Sequence, residues 1–166
     1  RQRLSLAGAL IHQHKLLFLD EPTSAVDPEN RRDFWEQLFD LCEQGTTILV
    51  STHYMDEAER CHKLAILEHG IKRADGSPQD LMDNLNAHVV EIAATELRAL
   101  KQILLASDKV SSAAQLGNRL RVLVDKSIVD PIAFIKEHQN GIVIEEAEIT
   151  RPSLEDVFVT STGGAV

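Results

Sequence analysis

Apolar and polar positions change their period several times along the chain, and each change marks an element. Leu4, Ala7 and Ile11 fall on one side of a helical projection with Leu6 and Leu10 beside them, so residues 1 to 14 predict a well-buried helix. Leu16 to Leu19 then form a continuous apolar run, the pattern of a central parallel strand covered on both faces, and the run ends directly on Asp20-Glu21-Pro22. Asp27-Pro28-Glu29 predicts a helix start, with Asp27 as the cap and Pro28 where a missing N–H costs nothing. Phe34, Leu38, Leu41 and Cys42 continue at helical spacing, and Gly45 is placed to stop the helix. Thr46 to Ser51 is β-branched and apolar, a second buried strand. Strands joined by a helix run parallel, so Asp20 and Glu21 leave one strand on the same sheet edge where Thr52 and His53 leave the other.

Residues 55 to 61 predict a short helix, and Lys63 to Glu68 a strand that turns at Gly70 into Ile71 to Ala74. Ser77-Pro78-Gln79-Asp80 has the capping-box form for a helix carrying Leu81, Met82 and Leu85. From His88 the rhythm becomes strand 88–93, helix 95–106, strand 109–115, strand 119–124, helix 128–138 and strand 142–149, with Gly117-Asn118 as a hairpin turn. The expected fold class is therefore α/β: a parallel sheet over residues 1–86, then a small α+β domain over 87–160 with the βαββαβ order of a ferredoxin-like split βαβ, then a frayed tail over 161–166.

Composition narrows the function. A net charge of -9 without a Lys/Arg run gives no basic footprint for nucleic acid. Cys42 and Cys61 lie outside any C-x-x-C spacing, which fits a reducing compartment, and the cytoplasm is the expected location. No apolar run reaches the roughly 18 residues needed to span a bilayer. Arg1 opens a run that already has the pattern of a helix interior and no cap before it, so the sequence reads as a fragment.

An acidic pair at the carboxyl end of a buried parallel strand is where an open α/β sheet places ligands. Asp20 suits Mg²⁺, which prefers oxygen ligands and keeps much of its water. Glu21 is placed to orient or deprotonate a water for attack on phosphorus, and His53 to hydrogen-bond the transferring phosphoryl group. Taken alone, Asp20-Glu21-Pro22 also reads as a polar turn, since turns favour Asp and Pro.

The longer constellation decides between these. Leu16-Leu17-Phe18-Leu19-Asp20-Glu21-Pro22 resembles the Walker B segment of ATP-binding-cassette (ABC) ATPases, Ser24-Ala25-Val26-Asp27 their D-loop and Ser51-Thr52-His53 their H-loop, in family order and spacing. Arg1-Gln2-Arg3-Leu4 resembles the residues that follow the family's LSGGQ-type signature. The resemblance implies a P-loop NTPase-type sheet, with Asp20 the magnesium-associated aspartate, Glu21 the catalytic glutamate, His53 the switch histidine, and Asp27 working across a dimer interface near nucleotide. Arg151-Pro152-Ser153-Leu154-Glu155-Asp156-Val157-Phe158, closing the small second domain, resembles the C-terminal extension of multidrug exporter ATPases of the daunorubicin-resistance type. ATP and Mg²⁺ as cofactors, and membrane permease subunits and a second ABC cassette as partners, follow from that resemblance, as does a place on the inner face of the membrane.

The departures are equally specific. None of the eight glycines belongs to a G-x-x-x-x-G-K-[ST] loop, and no LSGGQ pentapeptide occurs, so the 166 residues are expected to be inactive alone while the full-length protein hydrolyses ATP. A regulatory or dimerisation module in residues 87–166, and a non-transport ATPase built on the same cassette, are the alternatives. His12 and His14 read as surface histidines, Cys61-His62 as a helix end, Trp35 as core or rim packing, and Asp56-Glu57-Ala58-Glu59 as a solvated helix N-terminus without a catalytic role.

Overall fold

The structure is a computed structural model that describes residue 8 and residues 14–163. The helix expected over residues 1–14 and the histidine at position 12 lie outside the described residues, as does the end of the expected tail. The chain divides into two compact units, 1–58 and 59–166, and each is taken by itself below.

In the first unit β1 (Leu16–Asp20) and β2 (Thr47–Ser51) pair in parallel, with Leu17 opposite Ile48 and Asp20 opposite Ser51. The crossover is α1 (Pro28–Glu43), capped by Asp27 and carrying Pro28 in its first turn. Gly45, at φ +93°, takes the left-handed conformation that glycine accepts most readily and ends the helix where expected. Phe34, Trp35 and Leu38 are buried along α1, which packs against β2. A second helix, α2 (Met55–Ala58), is a single turn, shorter than the predicted 55–61.

One expectation is corrected. The run Leu16 to Leu19 predicted a strand covered on both faces, but only Leu17 is buried, while Leu16 and Phe18 are 49% and 68% exposed and Leu49 of β2 is 59% exposed. Strand side chains alternate between faces. With a two-stranded sheet against one helix, the alternate set has no cover among the described residues.

The second unit opens with an antiparallel hairpin, β3 (Leu64–Glu68) and β4 (Ile71–Gly76). Its two turn residues, His69 and Gly70, both have positive φ (48° and 77°), as a I′-type hairpin turn requires. Helix α3 (Pro78–Asp83) follows, capped by Ser77, whose hydroxyl accepts the Asp80 N–H at 3.1 Å.

The remaining elements are β5 (Ala87–Ala94), α4 (Leu97–Leu105), β6 (Val110–Leu116), β7 (Arg119–Asp125), α5 (Pro131–Glu137) and β8 (Ile144–Thr150). They form one antiparallel sheet of order β6-β7-β5-β8, so β5 and β6, the ends of the first βαβ step, are separated by β7. Leu116 pairs with Arg119 across the two-residue turn, and Gly117 supplies its positive φ of 61°. Val90, Ile92, Leu120, Val122 and Val124 from the sheet, Leu100 and Leu104 from α4, and Ile135 from α5 are all fully buried in one core. Leu100 and Leu104 are four residues apart, one face of a helix, and each such burial contributes about 1.5–3 kcal/mol.

A last helix, α6 (Leu154–Ser161), lies where the pattern predicts no element, and its final residue falls in the expected tail. Ser153 and Asp156 close a capping box at its start, the Asp156 N–H donating to Ser153 Oγ and the Ser153 N–H donating to Asp156 Oδ2. Asp156 also receives a two-pronged bond from Arg121 of β7, with Nε donating to Oδ1 at 3.0 Å and Nη2 to Oδ2 at 2.7 Å. Arg121 further donates to Glu91, its cross-strand partner on β5, and to the Arg151 carbonyl. Planar guanidinium against carboxylate is the strongest form of such pairing.

Candidate functional site

The first unit gathers its chemistry at the carboxyl ends of β1 and β2. Asp20 is the last residue of β1, and its carboxylate accepts a hydrogen bond from the hydroxyl of Ser51, its partner in the parallel register. Glu21 follows with φ +41°, one of three non-glycine residues with positive φ among the described residues. His69 and Asn140, the other two, are in loops between elements. A side chain with a Cβ resists this region, and such strain persists where surrounding bonds over-determine it. Here the Glu21 N–H donates to the Ser51 carbonyl at 3.0 Å and lies 3.1 Å from its hydroxyl, so β2 fixes the turn that leaves β1.

The bend brings the Glu21 carboxylate to His53, with Nδ1 3.2 Å from Oε1. Both side chains are open to solvent, 49% and 57% exposed, and the His53 ring also stacks on Tyr54 at a tilt, 4.1 Å between centroids. A bond through Nδ1 leaves Nε2 of the imidazole for a second partner. The structure thus brings Asp20, Glu21 and His53 to one edge. It does not bring Asp27 there: that side chain caps α1, accepting the Asn30 N–H at 3.1 Å and the Asn30 amide at 2.7 Å. The Asn30 side-chain bond, followed by the Asn30 backbone bond, holds the Asp27 carboxyl below the ordinary aspartate value.

Behind the exposed pair lies a buried one-carboxylate network. Glu57 of α2 is fully buried, which corrects the expectation that Asp56-Glu57-Ala58-Glu59 is solvated throughout. The physical reason is full pairing: Thr23 donates its hydroxyl to Oε1, Thr52 donates to Oε2 at 2.7 Å, and Arg31 Nε stands 3.6 Å from Oε1. A carboxylate without such partners would have to stay in water. Thr52 in turn accepts the Tyr54 N–H at 3.1 Å, and the Arg31 guanidinium lies 4.3 Å over the Tyr54 ring. Nothing in the local sequence signals this network, because Thr23, Arg31 and Thr52 meet Glu57 only through the fold. Exposed Asp56 of the same run behaves as expected.

The remaining candidates sort simply. His14 is exposed, Trp35 is buried at 3% exposure, and Cys61 and His62 follow α2 outside any helix. Among the described residues no group of three His, Cys, Asp or Glu side chains is arranged to hold a metal. Mg²⁺ takes one or two carboxylates and fills its shell with water and phosphate oxygens. Exposed Asp20, next to the Ser51 hydroxyl, offers a donor set of that kind. No described helix is long and apolar enough to cross a membrane.

Two family models match the chain. Residues 2–92 match one described as "AAA domain, putative AbiEii toxin, Type IV TA system", and residues 76–162 match the "ATP-binding protein DrrA1-3-like, C-terminal domain". Among curated proteins, the Nod factor export ATP-binding protein I of Cupriavidus pinatubonensis is 38% identical over 166 residues, covering 98% of this chain and 49% of that protein. The daunorubicin resistance ATP-binding protein DrrA2 of Streptomyces coeruleorubidus is 29% identical over 169 residues, covering 98% of this chain and 52% of its own length. The probable multidrug ABC transporter ATP-binding protein YbhF of Escherichia coli is 49% identical over 81 residues, which is 49% of this chain and 14% of that protein. The chain therefore spans about half the length of the first two relatives. Strand-end acidic residues, the second family model and these relatives agree: the chain belongs to the ABC-transporter-type ATPase domains of the DrrA/NodI/YbhF family.

Proposed function

We propose that the chain is the latter part of an ABC cassette with its C-terminal extension, and that the full-length protein binds and hydrolyses ATP to drive export, of the multidrug or daunorubicin-resistance type. The observation that carries this reading is the Glu21–His53 contact of 3.2 Å beside Asp20, at the carboxyl ends of two parallel strands. In this reading Glu21 orients a water and takes its proton, and its exposure leaves the carboxylate reachable by that water. His53, held through Nδ1, presents Nε2 to a phosphoryl oxygen. Asp20 holds Mg²⁺ through water, and the ion supplies charge neutralisation on the phosphates. Asp27 contributes from the D-loop across a dimer of cassettes.

We assign residues 1–86 to the P-loop-type cassette and residues 87–160 to a ferredoxin-like extension, with the order β6-β7-β5-β8 in support of the latter. The whole protein sits in the cytoplasm, peripheral on the inner membrane face, through membrane permease subunits and a second cassette. Since no phosphate-cradling loop occurs in these 166 residues, the chain alone is expected to show no ATP turnover. The test of the chemistry is Glu21→Gln in the full-length protein: ATP binding persists and turnover stops. Turnover at the wild-type rate would remove Glu21 from its role.

A further inference from the structure

Glu57, near the end of the first unit, is a fully buried carboxylate that the proposed chemistry leaves unused. Its two oxygens go to different segments. Oε1 accepts from Thr23, two residues after Glu21; Oε2 accepts from Thr52, the residue before His53. Thr23 is itself fully buried, and Thr52 is further tied by the Tyr54 N–H. We propose that Glu57 is a positioning residue for the Glu21–His53 pair, one oxygen anchoring the turn that presents Glu21 and the other anchoring the turn that presents His53.

Three observations support a positioning role over simple packing. First, a buried carboxylate carries a desolvation cost that an apolar side chain of similar volume avoids, so its retention is better explained by the geometry it fixes than by stability. Second, Glu21 sits at φ +41°, a conformation that relaxes unless the turn is held from both sides; Ser51 holds its N–H and Glu57 holds Thr23 beyond it. Third, the Glu21 and His53 side chains are about half exposed, and apart from the stacking of His53 on Tyr54 their separation of 3.2 Å depends on the segments that carry them, which Thr23 and Thr52 join to Glu57. Arg31 closes the network from α1, 3.6 Å from Oε1 and stacked on Tyr54, so the same carboxylate also ties the crossover helix to both turns.

The proposal rests on the hydrolytic reading of Glu21 and His53, and its test separates the two. Steady-state ATP hydrolysis is measured on the full-length protein as wild type, Glu21→Gln, Thr52→Val, Thr52→Ser and Glu57→Gln, with an unfolding midpoint for each. Thr52→Val keeps the shape and removes the hydroxyl; it is expected to lower kcat about tenfold or more, with KM for ATP within about twofold, because misplacing a reacting group by a fraction of an ångström acts on the chemical step. Thr52→Ser restores the hydroxyl and most of kcat. Glu57→Gln, which can still accept from one threonine and donate to the other, falls between wild type and Thr52→Val. Wild-type kcat in both Thr52→Val and Glu57→Gln, with Glu21→Gln inactive, overturns the positioning role and leaves the hydrolytic reading standing. Equal losses in Thr52→Ser and Thr52→Val also overturn it, since shape alone would then account for the effect. Full turnover by Glu21→Gln overturns the hydrolytic reading, and the positioning role with it.

Discussion

Two charged centres, one in each unit, use the same ingredients to different ends. In the second unit Arg121 is 14% exposed at its side chain and meets Asp156 and Glu91, with every contact short and the Ser153 N–H and hydroxyl completing the aspartate's shell. In the first, Glu21 and His53 are about half exposed, joined by a single 3.2 Å contact, and Glu21 has a strained backbone. A centre built on a buried, fully bonded aspartate joins α6 to the sheet. An exposed, strained and under-bonded centre contributes little to stability, since ion pairs open to solvent are worth at most about 1 kcal/mol, and retains open positions for chemistry. The comparison teaches that charge near a strand identifies neither role. Saturation and exposure do.

The largest effect expected from disturbing this contrast is on the buried centre. Asp156→Ala leaves the Arg121 guanidinium desolvated without its main partner and is expected to cost the second unit about 3–5 kcal/mol, read as the loss of urea midpoint in the 166-residue chain. Acid reaches the same centre more gently. Burial, the largest single influence, pushes the Asp156 carboxyl up, but the Arg121 and Ser153 hydrogen bonds and the Arg121 charge together outweigh it and hold the group below its ordinary value. Arg121 is correspondingly pushed up, chiefly by its bond to Asp156. A carboxyl depressed by folding contributes stability that is complete above the unfolded value, about 3.9, and is lost as pH falls through the folded value. Unfolding midpoints should therefore drop steeply below about pH 4 in the wild-type chain and less steeply in Asp156→Asn.

The smallest stability effect belongs to the exposed centre. Glu21→Asn replaces a residue at φ +41° with one that tolerates the left-handed region, and the unfolding free energy is expected to stay or rise by up to about 1 kcal/mol. A loss comparable to that of Asp156→Ala would erase the distinction between the two centres.

Much of this architecture is legible in the chain. Asp27-Pro28 with Gly45 brackets α1 because caps and stops act through local backbone geometry, and the apolar runs on either side give a βαβ step whose strands must end on one edge. That is enough to bring Glu21 and His53 together on paper. What the pattern does not carry is who covers whom. The run at 16–19 reads as buried on both faces, yet Phe18 is 68% exposed, because alternation across a two-stranded sheet is settled by its neighbours and not by its own residues. Glu57 reads as solvated within an acidic run, since its burial depends on Thr23, Arg31 and Thr52, distant in sequence and ordinary in type. Helix α6 has its local signal in Ser153 and Asp156, a capping box closed by Asp where Glu or Gln is the usual residue, so the pattern alone does not announce it.

The most direct measurement of the central claim, that Glu21 and His53 form one chemical centre, is magnesium-dependent phosphate release by the full-length protein carrying His53→Ala. A loss of about a hundredfold or more, with ATP binding and the unfolding midpoint retained, is the predicted result. Release at the wild-type rate would contradict it.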